Sequence, residues 1–305
     1  MRLNLLHNEH PAWRNVDLDH TSPSQLNLPM SRWIYSYVLH NQDERRLWKA
    51  NLRMTGGSAV NMALDMIYAE RGAKMSADRE IAPLKPDDAI AAATDFMLKT
   101  EVWDDDKQTR DHYASCISDT VTNAMEEIDA FGSEVVALEK YADWQPDRTP
   151  VPITGYADFV LADGTIIELK TRWPRRVTNK DGETSWRTSS NPSAPINNWV
   201  KQSTVYHHAF GGPAFVISAN SLNARTYEIE EIEFRAAEAK LMAALFERHE
   251  ALVQLHDADD RQEGLRRLLR CYPADFDDIY WNEDPDVVGD AKRRWDHAIN
   301  AWINK

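Results

Sequence analysis

The sequence predicts a mixed α/β (α+β) fold from three observations. A helical period runs through about the first 131 residues, short β-branched runs bounded by turn residues begin at residue 134, and a helical period returns after residue 230. On this reading the 305 residues form a single domain with a helical N-terminal part (1–131), a sheet core (132–230) and a helical C-terminal part (231–305). The sheet is expected to be mixed and flanked by helices.

The helical N-terminal part begins with "TSPSQLN" (21–27), a Ser/Thr cap with proline early in the first turn, followed by the aromatic run "RWIYSYVLH" (32–40). "GSAVNMALDMIYAERG" (57–72) places Val60, Ala63, Leu64 and Ile67 on one helical stripe and stops at Gly72. Two more helices are expected near 87–99 and 107–131. The strands are "EVVALEKYADW" (134–144), "ITGYADFVL" (153–161) and "TIIELKT" (165–171). A basic loop follows, then a helix at "NNWVKQSTVYHHAF" (197–210), a strand at "PAFVIS" (213–218), another near 224–230, and a long helix through "EFRAAEAKLMAALFERHEALVQL" (233–255).

Apolar residues at 43% and charged residues at 28% place the chain among globular proteins. Its apolar runs are too short to span a membrane. The opening "MRLNLLHNEHPAW" has no basic stretch leading into an apolar one, so a cytoplasmic protein is expected. Cys116 and Cys271 stand too far apart in sequence, and are too few, for a disulfide framework or a four-cysteine cluster, and both read as buried thiols. A net charge of -14 argues against coating nucleic acid by overall attraction and leaves only a local basic groove for that purpose.

The stretch "GYADFVLADGTIIELKT" (155–171) reads as a hairpin that carries charges where a plain hairpin would be apolar. Glu168 and Lys170 are two apart and share a strand face with Ile166. A two-residue Asp163-Gly164 turn would send Asp158 to the other face. A three-residue turn, Ala162-Asp163-Gly164 with Gly164 left-handed, pairs Asp158 with Glu168 and is the register expected here. The two carboxylates then stand roughly 5 Å apart at Cβ and repel unless a cation or proton lies between them. Carboxylate oxygens with the Leu169 carbonyl suit Mg²⁺ or Mn²⁺, a Lewis acid for phosphate chemistry, and Lys170 would orient water or stabilise developing charge. An acid two before a lysine also occurs at Asp105, Glu238 and Asp290, but in or beside expected helices and without a hairpin turn.

Gly155…Asp158, Glu168…Lys170 and Gln202…Tyr206 together resemble the G-x-x-D, E-x-K and Q-x-x-x-Y elements of the PD-(D/E)xK nucleases, in particular the RecB-type exonuclease branch. "SPSQL" with its aromatic cluster and "GSAVNMALD" are similar to that family's S-x-S-x-L and G-x-x-x-H elements, so the resemblance spans about residues 20–220. It implies a restriction-endonuclease-like core with helical extensions at both ends. The implied activity is metal-dependent hydrolysis of DNA phosphodiesters in DNA processing or recombination. Asp158, Glu168, Lys170, Gln202 and Tyr206 would be catalytic, and Asp158, Glu168, Leu169 and Asn61 would ligate Mg²⁺ or Mn²⁺. Asn61 stands where the family often has a metal-binding histidine, which implies either a looser metal position or a further acid, with Glu126, Glu127, Glu134 and Glu139 as unranked candidates. No cysteine lies in residues 20–40, which excludes the iron-sulfur cluster of some members. The resemblance favours an exonuclease. The alternatives are a structure- or sequence-specific endonuclease and, in another class, a catalytically silent DNA-binding or assembly protein.

The segment "RWPRRVTNKDGETSWR" (172–187) carries five basic and two acidic residues. Arg172, Arg175, Arg176, Lys180 and Arg187 are expected to steer a phosphate backbone, and Trp173 and Trp186 to stack on unpaired bases, so the expected partner is DNA at ends or single strands. "PADFDDIYWNEDPDVVGD" (273–290), with seven acids and no base, reads as a solvated face, a protein partner or homo-oligomer interface being the alternative. His207 and His208 read as ordinary helix residues, with support of the site as the alternative.

Overall fold

Local signals set several of the helix boundaries. The Ser22 side chain accepts the Gln25 N–H at 3.3 Å to open helix α2 (Pro23–Leu26), with Pro23 in its first turn. Asn51 caps α4 (Leu52–Glu70) through a 2.9 Å bond from the Arg53 N–H. The computed structural model describes residues 11–14, 16, 18–39, 51–76, 80–102, 104–147, 149–277, 281 and 285–300. Residues 1–10, read above for a leader, His40, and residues 278–280 and 282–284 of the acidic segment lie outside these.

The remaining helices are α1 (Pro11–Arg14), α3 (Met30–Ile34, running on as a π-helical turn at Tyr35–Leu39), α5 (Pro86–Lys99), α6 (Lys107–Asp129), α7 (Asn197–Phe210), α8 (Glu231–His256), α9 (Arg261–Cys271) and α10 (Pro285–Asn300). The strands are β1 (Lys74–Met75), β2 (Val135–Trp144), β3 (Ile153–Leu161), β4 (Ile166–Thr171), β5 (Arg175–Thr178), β6 (Thr184–Arg187), β7 (Ala214–Ala219) and β8 (Ala224–Glu228). The fold is mixed α/β, with helical segments before and after a mixed sheet. No helix among the described residues is long and apolar enough to cross a membrane.

By packing, the chain divides into two compact units. One comprises residues 49–143 and 155–235. Its sheet runs β1-β2-β3-β4-β7-β8, with β1 and β2 parallel, β3 and β4 antiparallel, β4 and β7 parallel, and β7 and β8 antiparallel. Val60, Ala63, Leu64 and Ile67 of α4 pack in one core with Ile117 and Val121 of α6 and with Phe159, Ile167, Leu169 and Ile217 of the sheet. The expected α4 stripe is therefore the stripe that is buried.

The other unit comprises residues 1–48, 144–154 and 236–305. Trp13, Trp33, Tyr35, Trp281 and Trp295 are buried there, and the Trp13 Nε1–H donates to His249 Nδ1 at 2.9 Å. Arg248, also buried, donates to the carbonyls of Gln25 and Leu28 at 3.0 and 2.8 Å, so it caps the end of α2. Burial lowers its pKa to about 10. Asp290, part of the segment read as a solvated acidic face, instead accepts the Tyr35 hydroxyl at 3.0 Å and pairs with Arg294 at 2.8 Å.

Two expectations need correction. Residues 172–187 are not an irregular loop: β5 and β6 pair antiparallel, because Val177, Thr178 and Thr184 suit a strand and Gly182, at φ 83°, suits the turn. Cys116 is buried as expected, but Cys271 is exposed, since it ends α9 beyond the buried Leu268 and Leu269.

Candidate active site

The β3–β4 turn has three residues. Leu161 donates its N–H to the Thr165 carbonyl at 2.9 Å, and Gly164 takes φ 89°, a left-handed conformation that a side chain would strain. The ladder pairs Val160 with Ile166 and Phe159 with Ile167, and the next step in this register sets Asp158 against Glu168. Main-chain pairing is then interrupted: Asp158 Oδ2 accepts the Leu169 N–H at 2.7 Å. Because the N–H and C=O of a strand residue point to the same side, the Leu169 carbonyl faces the same gap.

Three further side chains complete the arrangement. The Lys170 ammonium donates to Glu168 Oε1 at 2.5 Å and to Gln202 Oε1 at 2.8 Å, and Gln202 Nε2 donates to the Tyr206 oxygen at 2.8 Å. Gln202 and Tyr206 are one turn apart on α7, so the helix carries both to the sheet. From α4, Asn61 Nδ2 donates to Asp158 Oδ1 at 3.2 Å. Gly155 makes room for Tyr206: a Cβ there would stand 3.0 Å from the ring.

The electrostatics follow from burial. Glu168 is 2% exposed and Asp158 is 8% exposed. Burial, then the Asp158 charge, pushes Glu168 up to about 8. Asp158 is also raised by burial, which outweighs the Lys170 charge and the Leu169 and Asn61 bonds. Burial opposes charge on Lys170, but the two carboxylates and the bond to Glu168 prevail and hold its pKa above the ordinary lysine value. Tyr206 is pushed well up by burial and then by Glu168, so its phenol stays neutral. Without a cation, this cluster favours keeping one carboxyl protonated.

The donor set fits a hard cation. Among the described residues nothing hydrogen-bonds the buried Glu168 Oε2, an orphaned acceptor beside a second buried carboxylate. Asp158, Glu168, the Leu169 carbonyl and the Asn61 amide oxygen, after rotation of that amide, would offer oxygen ligands of the kind Mg²⁺ and Mn²⁺ take.

A third acid does not converge with these two: among the described residues no group of three His, Cys, Asp or Glu side chains is placed to hold an ion. Of the four acids singled out in the sequence, Glu127 bonds the Thr226 hydroxyl and Glu139 comes nearest the site, its charge adding to the shifts of Glu168 and Tyr206. Glu139 has φ 46°, a left-handed backbone within β2 that non-glycine residues rarely adopt.

The expected DNA-contacting residues divide. Arg175, Arg176, Lys180 and Arg187 are exposed on or between β5 and β6, with Arg175 directly opposite Arg187. Arg172 is half-buried and extends the β4–β7 ladder by donating its N–H to Ala219 at 2.8 Å. Trp173 is a correction. Its ring is 4% exposed, stacks on Tyr113 with centroids 4.9 Å apart and donates to Thr171 Oγ1 at 3.0 Å, so it is core and presents no face to a base. Trp186 is half-buried with one face on His112 at 4.2 Å. His207 stacks on Phe234 at 4.2 Å and bonds the Gly212 carbonyl at 2.8 Å, the ordinary packed role.

Tyr156, two residues before Asp158, escaped the sequence reading. An aromatic in a strand is too common to single out, and only its exposure in the folded chain does so.

No family model and no curated protein matches the chain. Among solved structures it is similar to an alkaline exonuclease from Laribacter hongkongensis, at 13% identity and a TM-score of 0.31, over 63% of this chain and 96% of that one. It is also similar to the protein SSO0001, at 17% identity and a TM-score of 0.25, over 45% of this chain and 65% of that one.

Proposed function

We propose that the chain is a metal-dependent nuclease that hydrolyses DNA phosphodiesters, acting as an exonuclease on ends or single strands. The observation that carries this reading is one cluster: two opposed buried carboxylates, Asp158 and Glu168, with Lys170 Nζ 2.5 Å from Glu168 and held by Gln202 at 2.8 Å. A plain structural hairpin has no reason to bury two repelling acids and a lysine together, since each must be desolvated.

Asp158 and Glu168, with the Leu169 carbonyl and Asn61, would hold Mg²⁺ or Mn²⁺. When bound, the ion supplies Lewis-acid polarisation of the phosphate and neutralises charge. Lys170, kept protonated by the carboxylates, can donate but not accept a proton. It therefore orients the attacking water or stabilises charge on the phosphate oxygens and does not act as the base. Gln202 fixes the Lys170 ammonium, and the neutral Tyr206 fixes Gln202. The exposed cations of the β5–β6 hairpin supply phosphate contacts in a chain whose net charge is -14. The preference for ends follows from the sequence resemblance to the RecB-type branch.

A second reading, a DNA-binding protein that does not cut, draws on Asn61 in place of the family's histidine ligand and on the lack of a third converging acid among the described residues. End-labelled linear DNA incubated with Mg²⁺ or Mn²⁺ separates the two. The nuclease degrades it and Lys170→Ala does not, whereas a silent binder retains DNA uncut in both forms. Circular DNA alongside tests the preference for ends.

A further inference from the structure

Strand β3 is buried or half-buried at every position except Tyr156, which is 46% exposed. Its neighbour is Tyr141 on β2, itself 47% exposed, with ring centroids 5.4 Å apart and planes tilted by 58°. Tyr156 lies two residues from Asp158, about 7 Å along the strand by the usual rise. Tyr141 lies two residues beyond Glu139, the residue with the left-handed backbone beside the site. A broad aromatic surface left in water costs hydrophobic free energy, and here it stands within about one nucleotide's reach of two candidate phosphate-site carboxylates.

We infer that Tyr156, braced by Tyr141, is a stacking platform for a base of the single-stranded DNA whose phosphate meets Asp158 and Glu168, an inference that rests on the nuclease reading. Stacking on an aromatic face is indifferent to base identity, which suits an enzyme that must advance along any sequence. It excludes the interior of a duplex, where both faces of every base are occupied, and admits an unpaired base or the base at an end. It also takes over the role expected of Trp173, whose ring is buried.

The test measures binding of fluorescently labelled single-stranded oligonucleotides in Ca²⁺ by wild type, Tyr156→Ala and Tyr156→Phe. The oligonucleotides are either intact or carry one abasic position scanned inward from the end. Tyr156→Ala should weaken binding of the intact strand about 5- to 150-fold, the range of one base–aromatic stack. Tyr156→Phe should bind as wild type, and one abasic position should remove the difference between wild type and Tyr156→Ala. Thermal denaturation of Tyr156→Ala should show a cooperative fold, lowered by no more than the loss of one cross-strand aromatic contact. Equal binding by wild type and Tyr156→Ala, or a loss that no abasic position removes, overturns the platform while leaving the nuclease reading intact. Failure to cleave with any divalent ion, with the base-specific loss preserved, overturns the nuclease reading and leaves the stacking site. Failure to bind any strand overturns both.

Discussion

The Asp158 carboxylate accepts the Leu169 N–H at 2.7 Å, a donor that a regular antiparallel pair would give to a main-chain carbonyl. One side chain thus interrupts the β3–β4 ladder and satisfies the donor it displaces, leaving the Leu169 carbonyl, on the same side of the strand, facing the gap. The site is a controlled break in the sheet. The variants Asp158→Asn and Asp158→Ala both remove the charge, but only asparagine keeps an acceptor for Leu169. Asp158→Ala should be less stable than Asp158→Asn by about 1–3 kcal/mol, the cost of an unmet buried N–H, as read from urea denaturation. Equal stabilities would show that the bond is incidental.

Glu168 makes the stability of the metal-free protein depend on pH. Its carboxyl titrates near 8 in the folded protein against 4.5 in the reference state. The folded state therefore binds this proton more tightly, and stability falls as pH rises from about 4.5 to about 8. At about 1.4 kcal/mol per pKa unit, the loss is on the order of a few kcal/mol. Melting in EDTA should show this slope in wild type and a flatter one in Glu168→Gln. Mn²⁺ should raise the melting temperature more at pH 8 than at pH 5.5, because at low pH it must displace a proton.

Gln202 touches Lys170 and not the carboxylates, so it is a positioning residue. Gln202→Ala should lower kcat about 10- to 100-fold, the worth of a hydrogen bond to a charged group, with little change in KM. Gln202→Glu, which keeps an acceptor, should recover part of that loss. A change confined to KM would place Gln202 in substrate binding.

A methyl group at Gly155 would press on Tyr206, which packs tightly enough that the ring must give by a few tenths of an ångström. A Cβ at 3.0 Å from the ring displaces the phenol, so Gly155→Ala should cost about 1–3 kcal/mol in stability and lower cleavage as well. Pairing it with Tyr206→Phe should not relieve the clash, because the ring remains, whereas Tyr206→Ala should relieve the stability loss.

Arg175 and Arg187 face each other across β5 and β6, a like-charge pair that weakens the hairpin on its own. Replacing both with glutamine should leave the fold intact or slightly more stable. It should weaken DNA binding uniformly across sequences and reduce the slope of log affinity against log salt by about 2. An unchanged salt slope would remove the hairpin from the DNA surface.

The parts legible in the sequence were those fixed by short-range geometry. Gly164 and the period-two pattern set the hairpin register, and the four-residue spacing of Gln202 and Tyr206 put them on one helix face. What sequence could not supply was which aromatic the packing leaves outside. Trp173, between Arg172 and Pro174 in a basic segment, has the sequence surroundings of a surface residue, yet the ring lies against Tyr113 in the core, while Tyr156, within a buried strand, is exposed. Likewise nothing in the residue type of Glu139 foretells its left-handed backbone, which depends on how β2 meets its neighbours. The β5–β6 hairpin was hidden by the charges of its residues, which resemble those of a solvated loop.

The most direct test of the shared-cation site is calorimetric titration of Mn²⁺ into wild type, Asp158→Asn and Glu168→Gln near neutral pH. The expected result is a single bound ion in wild type, with protons released on binding as Glu168 ionises, and loss of that site in both variants. Wild-type affinity retained in Glu168→Gln would contradict it, because the two carboxylates would then not be holding an ion between them.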